Sequence, residues 1–200
     1  MQWLSPSYPI GAFNFSQGLE YAVSKAWVCD ENGFTEWLKD NLEGGYLRND
    51  AIFVKLAFCI TSKENLDSLI EVSNAFSCSK SKLEEQSLMG KAFFKVTPFA
   101  KEAPFPVAIG LAAKKYELQL ESFLPLFVHS SVANLISVAQ RLLPIGQSRG
   151  AEILREMFVN IDQVVESALH ATQEDILSSC YITDSCSMCH ETLDGRIFKS

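Results

Sequence analysis

The chain is short of basic charge: 17 Lys and Arg face 24 Asp and Glu, a formal net charge of −7 over 200 residues. No Lys/Arg run supplies the footprint that a phosphate backbone requires, so nucleic acid is excluded as the first partner. Phosphate cradles are missing as well. Gly146-Gln147-Ser148-Arg149-Gly150 lacks the Lys-Ser/Thr pair of a P-loop, which excludes nucleotide hydrolysis by that route. No stretch alternates apolar and polar residues between turn signals, which excludes a sheet. Internal repeats and low-complexity linkers are absent from the sequence. Met1-Gln2-Trp3-Leu4-Ser5-Pro6 holds no basic residue and no apolar run, so an export signal is not expected. Cys29, Cys59, Cys78, Cys180, Cys186 and Cys189 are then expected to be reduced thiols of a cytoplasmic protein.

What is present is apolar mass: 48% hydrophobic residues, with 14 Phe and three Trp. That suffices for a sizeable core, and the length suits one domain. Helical spacing dominates. Asn14 and Gln17 spell a capping box before Leu19, Ala22, Val23 and Ala26. Phe34, Trp37, Leu38 and Leu42 mark a second helix ending near Gly44-Gly45, and Asn49-Asp50 is placed as the cap of a third. Thr61/Glu64 and Ser81/Glu84 read as two more capping boxes. Pro98, Pro104 and Pro106 enclose a loop, with Pro106 opening a helix over 107–115. A long apolar helix over 118–143 stops at Pro144-Ile145-Gly146. Two more helices follow, the second capped by Asn160 and Gln163. The expected fold is all-α: a single compact multi-helix domain over 1–177, with a C-terminal tail over 178–200 that adds little to the core.

The 19 residues from Ser122 to Gln140 carry no Lys, Arg, Asp or Glu and are long enough to span a bilayer. Yet Ser130, Asn134, Ser137 and Arg141 form one helical stripe, opposite Val128, Val132, Leu135, Ile136, Ala139 and Leu143. A two-sided helix of this kind belongs inside a protein, so no membrane partner is expected.

Chemistry-bearing motifs are few. Cys186-Ser187-Met188-Cys189-His190 has the spelling of a haem attachment site, a reading that needs an exported protein. Cys186, Cys189 and His190, with Cys180 nearby, form an alternative nickel or zinc site, although a second Cys/His pair at suitable spacing is missing. His129 lies on an apolar helix and reads as a core residue, and His170 as an exposed helix end. Neither pairs with a cysteine in a nucleophile signature. No catalytic residue and no cofactor is expected. An interaction protein is the better class.

Three stretches carry a resemblance. The first runs from Ser5 through Pro9, Gly11, Phe13, Ser16 and Gly18 to Glu20. The second comprises Phe105-Pro106-Val107-Ala108-Ile109-Gly110-Leu111 and Arg141-Leu142, then Pro144-Ile145-Gly146-Gln147 with Gly150. The third is Ser187-Met188-Cys189-His190-Glu191, followed by Arg196-Ile197-Phe198-Lys199-Ser200. In this order and over nearly the whole chain they resemble the urease accessory protein family UreF, departing from its tail pattern at Asp194-Gly195. The resemblance implies an all-α homodimer that binds the accessory protein UreD (also called UreH), recruits the GTPase UreG and helps deliver nickel to apo-urease. It also places Cys189 at a variable position of the tail motif, which makes the haem spelling accidental.

On that resemblance, Phe13, Glu20, Ser187, Met188, His190, Glu191, Arg196 and Phe198 are expected to bind partners. Pro9, Gly11, Ser16, Gly18, Gly110, Arg141, Gly146, Gln147 and Gly150 are expected to shape the fold. Gly11 and Gly146 are read as turn glycines and Gly18 as a point of close approach.

Overall fold

The computed structural model describes residues 2–97 and 102–199; Pro98 of the expected loop and Ser200 of the tail motif lie outside them. Ten α-helices occur among the described residues, and no strand does. They are α1 (Leu19–Ser24), α2 (Glu31–Gly44), α3 (Tyr46–Cys59), α4 (Lys63–Ala75), α5 (Lys80–Val96), α6 (Phe105–Lys115), α7 (Leu120–Leu142), α8 (Gln147–Glu156), α9 (Phe158–His170) and α10 (Tyr181–Cys189).

The expected helices are present, but several caps sit elsewhere. Gly18, not Asn14, precedes α1, because Asn14 is drawn into a short 3-10 turn (Ala12–Asn14) and Gln17 turns to α5. Ser62 and Ser79, not Thr61 and Ser81, cap α4 and α5 by accepting from Asn65 N and Lys82 N. Asn49 and Asp50 lie inside α3, where Asn49 instead bonds both backbone groups of Leu177. Asn160 lies inside α9, because the chain turns at Met157, a buried anchor that never leaves helical backbone. Asp30 caps α2 as a side-chain acceptor for Gly33 N.

The centre is α3. It packs against α2, α4, α6, α7 and α9, and Ala51, Ile52, Phe53 and Val54 are all buried. Its closest neighbour is α6, and Gly110 makes that approach possible: a β-carbon there would stand 2.4 Å from Val54 O. Phe93, Phe105 and Trp3 interlock edge to face at one end of the core.

Helix α7 is long and apolar enough to cross a membrane, yet half of its apolar window is buried against this core. Its polar stripe is covered from within the chain. Ser130 Oγ donates to Leu4 O, Asn134 Nδ2 to Ala12 O and Arg141 to Phe13 O. The stripe is the seat of the N-terminal segment.

The tail departs most from expectation. It folds as α10 and a further 3-10 turn (His190–Thr192), and it places Cys186 and Phe198 in the core. The stretch leading into it is strapped along α3, since Arg48, Asn49 and Lys55 donate to the carbonyls of Asp175, Leu177 and Ala171.

Candidate functional site

All three motif stretches converge on one knot. Glu20, the second residue of α1, is 5% exposed, and its carboxylate gathers the tail. His190 Nε2–H donates to Oε2 at 2.7 Å, Ile197 N to Oε1 at 2.7 Å and Phe198 N to Oε2 at 3.2 Å. Three donors on one buried carboxylate offset its loss of water. His190 is fully buried, and its Nδ1 has no partner, so the ring holds its proton on Nε2 toward Glu20.

Gly18 explains why the helix start and the tail can meet. Its φ is +85°, and a β-carbon would stand 2.8 Å from Ser187 N and 3.1 Å from Cys186 Cβ. Backbone crosses backbone here. The close approach expected at Gly18 holds and its positive φ adds a second reason for glycine, while Gly11 adopts the expected left-handed turn with φ +74°. Gly146 does not: its φ is −74°, and a β-carbon there would meet nothing within 4 Å. The turn glycine expected at 146 is therefore a correction, because the backbone there is extended and open to other residues.

Arg141 joins the second stretch to the other two. Its guanidinium donates to Phe13 O at 2.8 Å and lies 4.2 Å over the Phe198 ring. Lys199 N donates to Asn14 O at 2.8 Å beside it. Gly150 sits where α8 meets α7, with Gln140 Nε2 2.3 Å from its would-be β-carbon. Gln147 and Pro9 are exposed, and Ser16 is fully buried.

The tail also closes the start of α5. Ser187 Oγ shares a 2.7 Å hydrogen bond with the cap residue Ser79, and Glu191 Oε1 accepts from Ser81 N at 3.2 Å. A carboxylate at a helix N-terminus is favoured by both the free N–H groups and the helix dipole.

This geometry divides the expected partner-binding set into an inner and an outer group. Glu20, Ser187, His190 and Phe198 are buried inside the chain, because polar backbone at both ends of the motif must be satisfied where the two termini cross. Phe13, Met188, Glu191 and Arg196 are exposed. The structure adds Tyr181, Ile182 and Ile197 to that outer set, at 77%, 64% and 66% exposure. Sequence reasoning passed them over because α10 is inside out. Thr183, Cys186, Ser187 and His190 face the core at i, i+3, i+4 and i+7, while Tyr181, Ile182 and Met188 face outward. Only the mismatch between an apolar series and a motif-bearing polar series could have signalled it.

The alternative metal set is not assembled. Among the described residues no three His, Cys, Asp or Glu side chains are grouped to hold an ion. Cys180 Sγ donates to Asp40 O, Cys186 is buried with its thiol pushed up to about 12 by burial, and His190 Nε2 faces Glu20. His170 is exposed at the end of α9 and bonded to Glu166. His129 is half-buried with its ring against Phe158.

Comparison with known proteins matches residues 28–158 to the family model described as UreF. A urease accessory protein UreF from Agrobacterium fabrum is 37% identical over 212 residues, covering 100% of this chain and 94% of that protein. Proteins of the same description from Cereibacter sphaeroides and Ruegeria pomeroyi are 36% and 33% identical, again over 100% of this chain, and over 96% and 94% of their own lengths.

Proposed function

The chain belongs to the UreF family of urease accessory proteins, and we propose that it is a non-enzymatic scaffold of urease maturation in the cytoplasm. In this reading it acts as a homodimer, binds UreD/UreH, and through that complex recruits the UreG GTPase so that nickel reaches apo-urease. Nickel is cargo here, carried by the assembly rather than held by the Cys186/Cys189/His190 set.

The observation that carries the reading is the inverted helix α10. A helix that turns polar groups inward and Tyr181, Ile182 and Met188 outward spends apolar area on water, and such a face marks an interface. The knot beneath it holds α10 rigid through Glu20, Ser79 and Ser81, so little order is lost on docking. Phe13 and Ile197 extend the apolar rim, and Arg196 supplies a planar fork for a partner carboxylate.

Co-expression with UreD/UreH and UreG tests this. The tagged chain is expected to capture UreD/UreH directly and UreG only when UreD/UreH is present. Ile182→Asp and Met188→Asp, both on the outer face, should abolish capture while circular dichroism and melting stay as in the parent. Capture that survives both substitutions would refute the assignment of this face.

A further inference from the structure

The knot and the outer face of α10 leave one part of the tail unused: Asp194-Gly195, where the sequence departs from the family pattern. The pair turns the chain between the 3-10 turn (His190–Thr192) and Ile197. Both residues are exposed. Gly195 is left-handed with φ +69°, and a β-carbon there would meet nothing within 4 Å. Among the described residues the Gly195 N–H and the Asp194 carboxylate form no hydrogen bond.

An aspartate followed by an open glycine can react with its own backbone. The Gly195 nitrogen attacks Cγ of the Asp194 carboxyl group and forms a C–N bond. The nitrogen gives up its proton, and the carboxyl hydroxyl departs with a proton as water. The product is a five-membered succinimide, closed without hindrance because glycine carries no β-carbon. Water then opens the ring at either carbonyl. Opening at Cγ restores aspartate; opening at the main-chain carbonyl leaves isoaspartate, with the chain running through Cβ and Cγ. One water leaves and one enters, so no oxidant or other reactant is needed.

The sequence holds a second pair of this kind, Asn32-Gly33, and the fold disarms it. Both residues lie in the first turn of α2, and the Gly33 N–H donates to the Asp30 cap at 2.9 Å. No such bond engages the Gly195 nitrogen. We propose that Asp194-Gly195 is a site of spontaneous conversion to isoaspartate, and that the longer main chain this leaves releases the tail from Glu20. His190 Nε2 and Phe198 N share one Glu20 oxygen, at 2.7 and 3.2 Å, and Ile197 N takes the other at 2.7 Å. Residues 191–196 therefore form a loop closed at both ends on one buried group. An extra main-chain atom changes where that loop can end, and hydrogen bonds weaken steeply away from their preferred geometry. The inference uses no partner surface and does not depend on the urease reading.

The test ages the full chain at neutral pH and body temperature for several weeks. Isoaspartate is then labelled with an isoaspartyl methyltransferase and S-adenosylmethionine, and peptide mapping locates the label. Position 194 should be labelled and position 32 should not. Hydrogen exchange at the Ile197 and Phe198 N–H groups should quicken at least about tenfold in the modified fraction, as loss of their bonds to Glu20 requires. Asp194→Glu keeps the charge but would have to close a six-membered ring, so it should stay unlabelled with exchange unchanged. Asp194→Asn, whose amide leaves as ammonia through the same ring, should be labelled several-fold faster. No label at 194, label at 32 instead, or isoaspartate at 194 with both amides still protected overturns the proposal.

Discussion

Two carboxylates, the buried Glu20 on α1 and the half-buried Asp50 on α3, have opposite surroundings. Glu20 accepts three hydrogen bonds from groups that lie some 170 residues away, at 170, 177 and 178 positions' separation. Asp50 has one amide bond and a cation at 3.7 Å, beside an oxygen that nothing satisfies. Burial drives Asp50 up from 3.8 to about 6; Lys82 opposes this and Glu85 adds to it. The contrast separates two uses of buried charge. A carboxylate whose donors are all supplied by the chain is a clasp. One left partly unmatched carries a burial cost that varies with its protonation.

The clasp is tested most severely by removing what it holds. Truncation after Cys180 deletes Thr183, Cys186, Ser187, His190 and Phe198 from the interior, strips Glu20 of its three donors and uncovers the apolar side chains beneath the tail. The expected outcome is loss of a cooperative unfolding transition at room temperature, read by denaturant titration with circular dichroism. A truncated chain that melts like the parent would show the tail to be an appendage after all. Glu20→Ala is the milder break. It orphans Ile197 N, Phe198 N and His190 Nε2 together, and should cost about 3–5 kcal/mol. Hydrogen exchange should rise across 190–198 first, with α3 and α6 still protected.

The unmatched carboxylate gives a smaller effect with a definite sign. Because Asp50 holds its proton more tightly when folded, its contribution to stability is fully present below the ordinary carboxylate range and is lost as pH rises through about 6. The loss is at most about 3 kcal/mol. The facing groups are Lys82, Glu85 and Gln86 from α5, Gln17 from the N-terminal segment, and Tyr46 one turn before Asp50 on α3. Asp50→Asn should flatten the stability profile between about pH 4 and 7 relative to the parent. An unchanged slope would mean that Asp50 is not the group responsible.

The comparison also shows what was legible in the sequence. Phe34, Trp37, Leu38 and Leu42 are all buried as their spacing requires, and the polar stripe of α7 was visible as a stripe. What covered that stripe was not, because Leu4, Ala12 and Phe13 meet it through backbone carbonyls, which carry no side-chain signature. Caps slipped by one or two residues wherever two hydroxyls compete, as Thr61 with Ser62 and Ser79 with Ser81. The tail was misread for a stronger reason: without a long apolar period it reads as adding little to the core, and the clasp nevertheless places Thr183, Ser187 and His190 inside. A pattern rule weighs apolar area, and a carboxylate 170 residues away outweighed it.

The smallest expected effect on stability is at Arg196, and it separates holding from presenting. Arg196 lies two residues before Phe198 and next to Ile197, whose backbone N–H groups are both bound to Glu20, yet its own side chain is exposed. The clasp acts through the backbone that follows Arg196 and the His190 ring before it, so the guanidinium is not needed to close it. Arg196→Ala should therefore shift the melting temperature by no more than roughly 1–2 °C, as surface substitutions do. If Arg196 offers its fork to a partner carboxylate, the same substitution should weaken UreD/UreH capture about tenfold or more, and Arg196→Lys should restore only part of it, because an ammonium cannot bind a carboxylate in two places at once. Full capture by Arg196→Ala would confine the binding surface to α10 and the apolar rim. A melting temperature that falls as far as in Glu20→Ala would instead make Arg196 part of the clasp, and the division between a closed interior and an offered surface would fail at this residue.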